Sequence, residues 1–338
     1  MRSSWKPPVF VLALHAALGA GCREGDKVPE DTTTDSAPIP TPLGRWEGVT
    51  AGGGLGTSLA AGGDARFAAA PWADGGAVWR LGAEDQLELV PGAVSGAFGR
   101  GLAVHDGALV VGAPLAEAGS GLLWRDGVVT PGGPGELLGG VVRSTALGLV
   151  ASVQGGARQD ALVIPLGARV TDAAALQGAL ILGTPTAEHA VYDVATGVGI
   201  SRLSAQDEAG SAICVADLDL DGEDELAVGA PGAGVVVVLE VGQRALAEGR
   251  LIQGNGGRFG QALACGAGLL VIGAPLEGEG QRGAVYAVEA GDEALVSLGV
   301  GEADGAELGA AVLIEAGGAV FAGAPGQAGG AGLVAQLR

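Results

Sequence analysis

The chain has 338 residues, 65 of them glycine, with aromatic residues at 4% and charged residues at 17%. Its formal net charge of −20 arises from 18 Lys plus Arg against 38 Asp plus Glu. That balance argues against nucleic acid as a partner, because affinity for a phosphate backbone is built on clustered cations that release counterions.

Residues 1–22 read as an export signal. Arg2 and Lys6 supply positive charge, Val9 to Ala20 is an apolar run, and small residues follow at Gly19-Ala20-Gly21 before Cys22. The run is too short to persist as a spanning helix. Small residues directly before a cysteine resemble the bacterial lipoprotein signal, which implies lipid modification of Cys22 and a membrane anchored by lipid rather than by a helix. Ordinary cleavage near Ala20 followed by secretion is the alternative. Residues 23–44 combine Glu24, Asp26, Glu30 and Asp31 with Pro29, Pro38, Pro40 and Pro42. Such a segment is too polar to bury a core and stays extended, so it is expected to act as a tether.

From residue 45 to 338 the chain repeats itself. The phrase Phe-Gly … Gly-Ala-Pro appears in full as Phe98-Gly99 … Gly112-Ala113-Pro114 and as Phe259-Gly260 … Gly273-Ala274-Pro275. Degenerate forms of its second half fall at Ala69-Ala70-Pro71, Ala151-Ser152-Val153, Gly183-Thr184-Pro185, Gly229-Ala230-Pro231 and Gly323-Ala324-Pro325. Seven copies result, at a mean pitch of about 42 residues, which matches four-stranded propeller blades. In the sixth copy, turn residues separate short apolar runs at 259–264, 268–275 and 283–288, with a fourth at 293–299. These are strand lengths, not helix lengths. The aromatics of the third runs, Trp79, Trp124, Tyr192 and Tyr286, are expected to pack between blades because they recur at one register.

The seventh copy stops after its third strand. Gly44-Arg45-Trp46-Glu47-Gly48-Val49 lies where the other repeats have a preceding fourth strand, so it is expected to fill the gap and remove an exposed edge, with Trp46 as the closure residue. The expectation is an all-β fold: a seven-bladed β-propeller of four-stranded antiparallel blades, closed by an N-terminal strand. Erosion of the motif in copies three and four leaves the blade boundaries between 130 and 200 open.

Copy five contains Asp217-Leu218-Asp219-Leu220-Asp221-Gly222-Glu223-Asp224-Glu225. Alternate carboxylates on a curled loop, with a glycine at the sharp turn, suit the six to eight hard oxygen ligands that Ca²⁺ takes. The expected ligands are the carboxylates of Asp217, Asp219, Asp221 and Glu225 and the carbonyl of Glu223. Copies six and seven have nothing comparable, so one Ca²⁺ site is expected. Cys214 and Cys265 lie on first strands of neighbouring copies. Export permits a disulfide between them, but the required spacing is narrow, and two buried free thiols are the leading expectation. His105 and His189 read as ordinary solvated loop residues, and no Gly-x-Ser-x-Gly nucleophile or metal-spaced cysteine pair occurs. A non-enzymatic role is therefore expected.

The repeated motifs resemble the FG-GAP repeat family, whose best-known members are the seven-bladed propellers at the N-terminus of integrin α chains. The resemblance spans about residues 45–338 and implies calcium loops between the first two strands of a blade. It also implies a binding or adhesion module whose partner is an extracellular protein or glycan. A carbohydrate-active enzyme on a propeller scaffold, or a structural envelope protein without a specific ligand, are the alternatives, since fold does not fix function.

Overall fold

Residues 42–92, 95–186 and 188–338 are described by a computed structural model. The export signal, Cys22 and nearly all of the expected tether lie outside the described residues. Seven four-stranded antiparallel sheets follow one another along the chain. Six are consecutive: 58–89, 101–131, 142–165, 172–201, 213–253 and 262–300. They settle the boundaries that the eroded motifs left open.

The seventh sheet is composite. Strands Ala311–Ile314, Val320–Ala324 and Leu333–Gln336 are joined by Gly44–Glu47, which pairs antiparallel with the last of them from Gly44↔Gln336 to Glu47↔Leu333. The N-terminal strand therefore supplies the outer strand, as expected, although pairing begins before the tether boundary placed at 44: the Leu43 amide already donates to the Gln336 carbonyl at 2.7 Å. Trp46 is 5% exposed, lies 6.0 Å from the Phe321 ring, and donates its Nε1–H to the Gly82 carbonyl of the first blade. One indole thus joins the last blade to the first.

The core sits between blades rather than within them. In the second strand of blade 6, Leu269 and Val271 pack toward blade 7, while Leu270 and Ile272 pack toward blade 5. Both faces of the sheet are covered, which is why this strand reads as an unbroken apolar run and not as an alternation. Trp124 against Phe98 and Tyr286 against Phe259, with centroids 6.0 and 5.7 Å apart, place these two third-strand aromatics at such interfaces, and Trp79 packs against the cluster shared by blades 7 and 1.

The motif residues do their work in the backbone. In each of the seven blades the amide after the first motif residue donates to a carbonyl at or next to the end of the second strand, as Gly99 to Gly112 and Gly260 to Gly273, both at 3.0 Å. Blade 4 lacks the Phe-Gly pair, yet Thr171 makes the same bond to Gly183 at 3.1 Å. The geometry of the repeat survives where its sequence does not.

Candidate metal centre

Most inner strands turn tightly into the second strand. In blades 2, 4 and 6 the connection is two residues, Asp106-Gly107, Gln177-Gly178 and Ala267-Gly268, each with both φ positive, the geometry that matches the twist of a two-residue hairpin. Blade 5 instead inserts residues 217–224 between Ile213–Ala216 and Glu225–Ala230. The extra length lets the chain curl back on itself.

The curl is held by its own carboxylates. Asp217 accepts from the amides of Leu220 and Gly222 at 2.7 and 3.1 Å, Asp219 from Asp221 at 3.1 Å, and Asp221 from Glu223 at 2.8 Å. Leu220 and Gly222 adopt φ of 68° and 94°. Asp217, Asp219 and Glu225 each bring a carboxylate oxygen to within 4.8 Å of the others. Asp221 and Glu223 remain exposed on the same loop, outside that group of three.

Glu225 is the unusual member. It begins the second strand, is 1% exposed, and receives the Leu218 amide on Oε2 at 2.6 Å. Its other oxygen, Oε1, is buried with no hydrogen-bond partner. Burial pushes its pKa up, the Leu218 amide opposes that shift, and the negative charge of Asp219 adds to it. A buried carboxylate with one orphaned oxygen beside two others is costly unless a cation or proton neutralises it. A hard divalent cation accepting from Asp217, Asp219 and Glu225, with carbonyl or water oxygens completing its shell, fits that donor set.

The two remaining cysteines correct the expectation of free buried thiols. Cys214 and Cys265 are bonded, with S–S 2.02 Å and Cα–Cα 5.6 Å, within the span a disulfide needs. Both are half-buried rather than sealed in the core. Inner strands of adjacent blades converge around the channel, so side chains of opposite facing meet across the shared interface. The histidines also differ from expectation. His105 Nδ1 lies 3.0 Å from Ser144 Oγ, and His189 belongs to the strand His189–Asp193 with a buried Nδ1.

Sequence reasoning did not single out Asp172. It is 3% exposed and accepts from the Ile213 amide of the next blade at 2.9 Å and from Arg143 at 2.5 Å. Its position directly after Thr171, the motif glycine's equivalent, is the one signal that marks it. A second buried carboxylate, Asp207, accepts from the amides of Ser204 and Ala209 and pairs with Arg202. Both carboxylates serve the fold.

Ring and blade together define a seven-bladed β-propeller. A sequence model described as the FG-GAP repeat matches residues 209–243, the part of blade 5 that holds the acidic loop, and the arrangement is consistent with the integrin α N-terminal propellers. Among solved structures, the crystal structure of the computationally designed Ika8 protein is similar, with 17% identity and a TM-score of 0.52, covering 87% of this chain and 99% of that one. At that identity the likeness concerns the fold alone. No curated protein matches the chain.

Proposed function

We propose that this protein is an exported, calcium-binding propeller that acts as a binding or adhesion module for an extracellular protein or glycan, tethered to a membrane through lipid on Cys22. The observation that carries calcium is the orphaned Oε1 of Glu225, buried beside Asp217 and Asp219 inside the segment matched as an FG-GAP repeat. The Cys214–Cys265 bond supports export, since disulfides persist in oxidising compartments. No helix among the described residues is long and apolar enough to cross a membrane. The role of the ion is structural: it fixes the loop that joins the first two strands of blade 5.

Calorimetric titration of the metal-stripped full-length chain with Ca²⁺ tests the site, with Asp219→Ala as control. Saturable binding of one ion per chain, lost in the control, is the expected result. Absence of saturable binding overturns the calcium assignment and leaves a metal-free propeller.

A further inference from the structure

The acidic loop follows the inner strand of blade 5, so it lies at the channel end opposite the motif turns. The motif end has a different character. The channel holds a cavity of about 680 Å³, within the range of small-ligand sites. Arg100, Arg143, Arg169 and Arg258 all line it, against only Asp172 and Glu208 as acidic residues. The described residues contain no lysine at all, and the chain as a whole carries −20. A net positive patch in such a protein is concentrated where the inner strands begin.

The four arginines divide into two pairs. Arg143 is neutralised by Asp172, and Arg258 by Glu208. Arg100, directly after Phe98-Gly99, and Arg169, directly before Val170-Thr171, meet no carboxylate among the described residues. Arg100 is half-buried and lies over the ring of Trp72 at 5.8 Å. Burial, and then the neighbouring charge of Arg169, lower its pKa. Two guanidinium groups facing one cavity without a counter-charge favour an anion between them, and their planar donor forks suit an oxyanion.

We infer that this mouth of the channel binds an acidic saccharide, whose carboxylate or sulfate group is held between Arg100 and Arg169. This deepens the glycan arm of the proposed function and rests on it. A saccharide fits better than an acidic peptide because Thr57, Ser211 and Gln261 occupy the motif position that Arg100 holds in blade 2. Protein interfaces centre on a desolvated apolar core, whereas hydroxyl and amide groups around a charge match a sugar. Trp72, 54% exposed and covered on one face by Arg100, leaves its other face for a pyranose ring.

The test is binding by the full-length chain, measured by calorimetry, to four probes: an oligogalacturonate, a sulfated oligosaccharide and a neutral oligosaccharide of equal length, and a poly-glutamate peptide. Arg169→Glu alters an exposed residue and leaves the fold intact, as an unchanged thermal unfolding transition verifies. Arg100→Gln is the second variant. The expected result is binding of one or both acidic saccharides, the stronger arm identifying carboxylate or sulfate, no binding of the neutral one, and a loss of about tenfold or more in each variant. Preferential binding of the peptide, or saccharide binding that neither variant weakens, overturns the site while leaving a binding module in place. Failure of all four probes counts against both the site and the glycan reading.

Discussion

Gly323 in blade 7 faces the carbonyl oxygen of Gly56 in blade 1 so closely that a Cβ at position 323 would sit 1.9 Å from that oxygen. The same contact joins Gly112 to Gly139, Gly229 to Gly260 and Gly273 to Gly309, at 2.0, 1.9 and 2.1 Å. The second motif glycine of one blade is therefore the seat for the first motif glycine of the next, and the ring closes by repeating its own joint. Gly323→Ala is expected to destabilise the chain by about 3 kcal/mol, as overpacking against rigid backbone does. Gly317→Ala, where a Cβ meets nothing within 4 Å and φ is ordinary, should be nearly neutral. Denaturant midpoints of the two variants compare them directly.

Closure also depends on Trp46, which buries its ring against Phe321 and donates to Gly82. Trp46→Ala should cost about 3 kcal/mol or more and loosen the N-terminal strand from Leu333–Gln336. Once loosened, that edge is free to pair with other chains. Light scattering should then show concentration-dependent association that the parent chain lacks; a monodisperse variant of parental stability would remove Trp46 from closure.

The Cys214–Cys265 bond joins residues 51 apart in sequence. In the chain-entropy account, a loop of that length restricts the unfolded state by about 4 kcal/mol. Reduction, or Cys214→Ala, should lower the unfolding temperature without changing the far-ultraviolet spectrum, because the seven interfaces remain. Intact mass measured before and after reduction reports whether the bond is present in protein isolated from its own compartment.

Tyr286 offers a pH readout. Burial raises its pKa to about 12, and its hydroxyl donates to Glu277, whose charge adds to the shift. The folded protein thus holds this proton more tightly than the unfolded chain, whose phenol titrates near 10. Stability should fall as pH rises from about 10 toward 12, because the unfolded state deprotonates first. Subtracting the tyrosinate absorbance titration of Tyr286→Phe from that of the parent should leave a transition centred at about 12. A transition near 10 would show that Tyr286 is neither buried nor paired with Glu277 in solution.

The sequence by itself determined the number of blades, the positions of their second strands, the N-terminal strand's place beside Leu333–Gln336, and the loop that carries Asp217, Asp219 and Glu225. Each of these is written in a contiguous stretch, or in a motif whose spacing is fixed by one blade's worth of backbone. Only the tertiary structure decided what happens between blades. Cys214 and Cys265 stand on different repeats, and the backbone convergence around the channel, not any spacing in sequence, brings their sulfurs together. Arg100 and Arg169 are further apart still, and each alone is one arginine among many on an acidic chain. Closing the ring points both into one cavity, because every inner strand begins at the same mouth. Asp172 and Ile213 meet for the same reason. A repeat sequence encodes its unit locally, whereas the charges and sulfurs that meet across units are set by the angle at which one blade seats on the next, and that angle is fixed by packing.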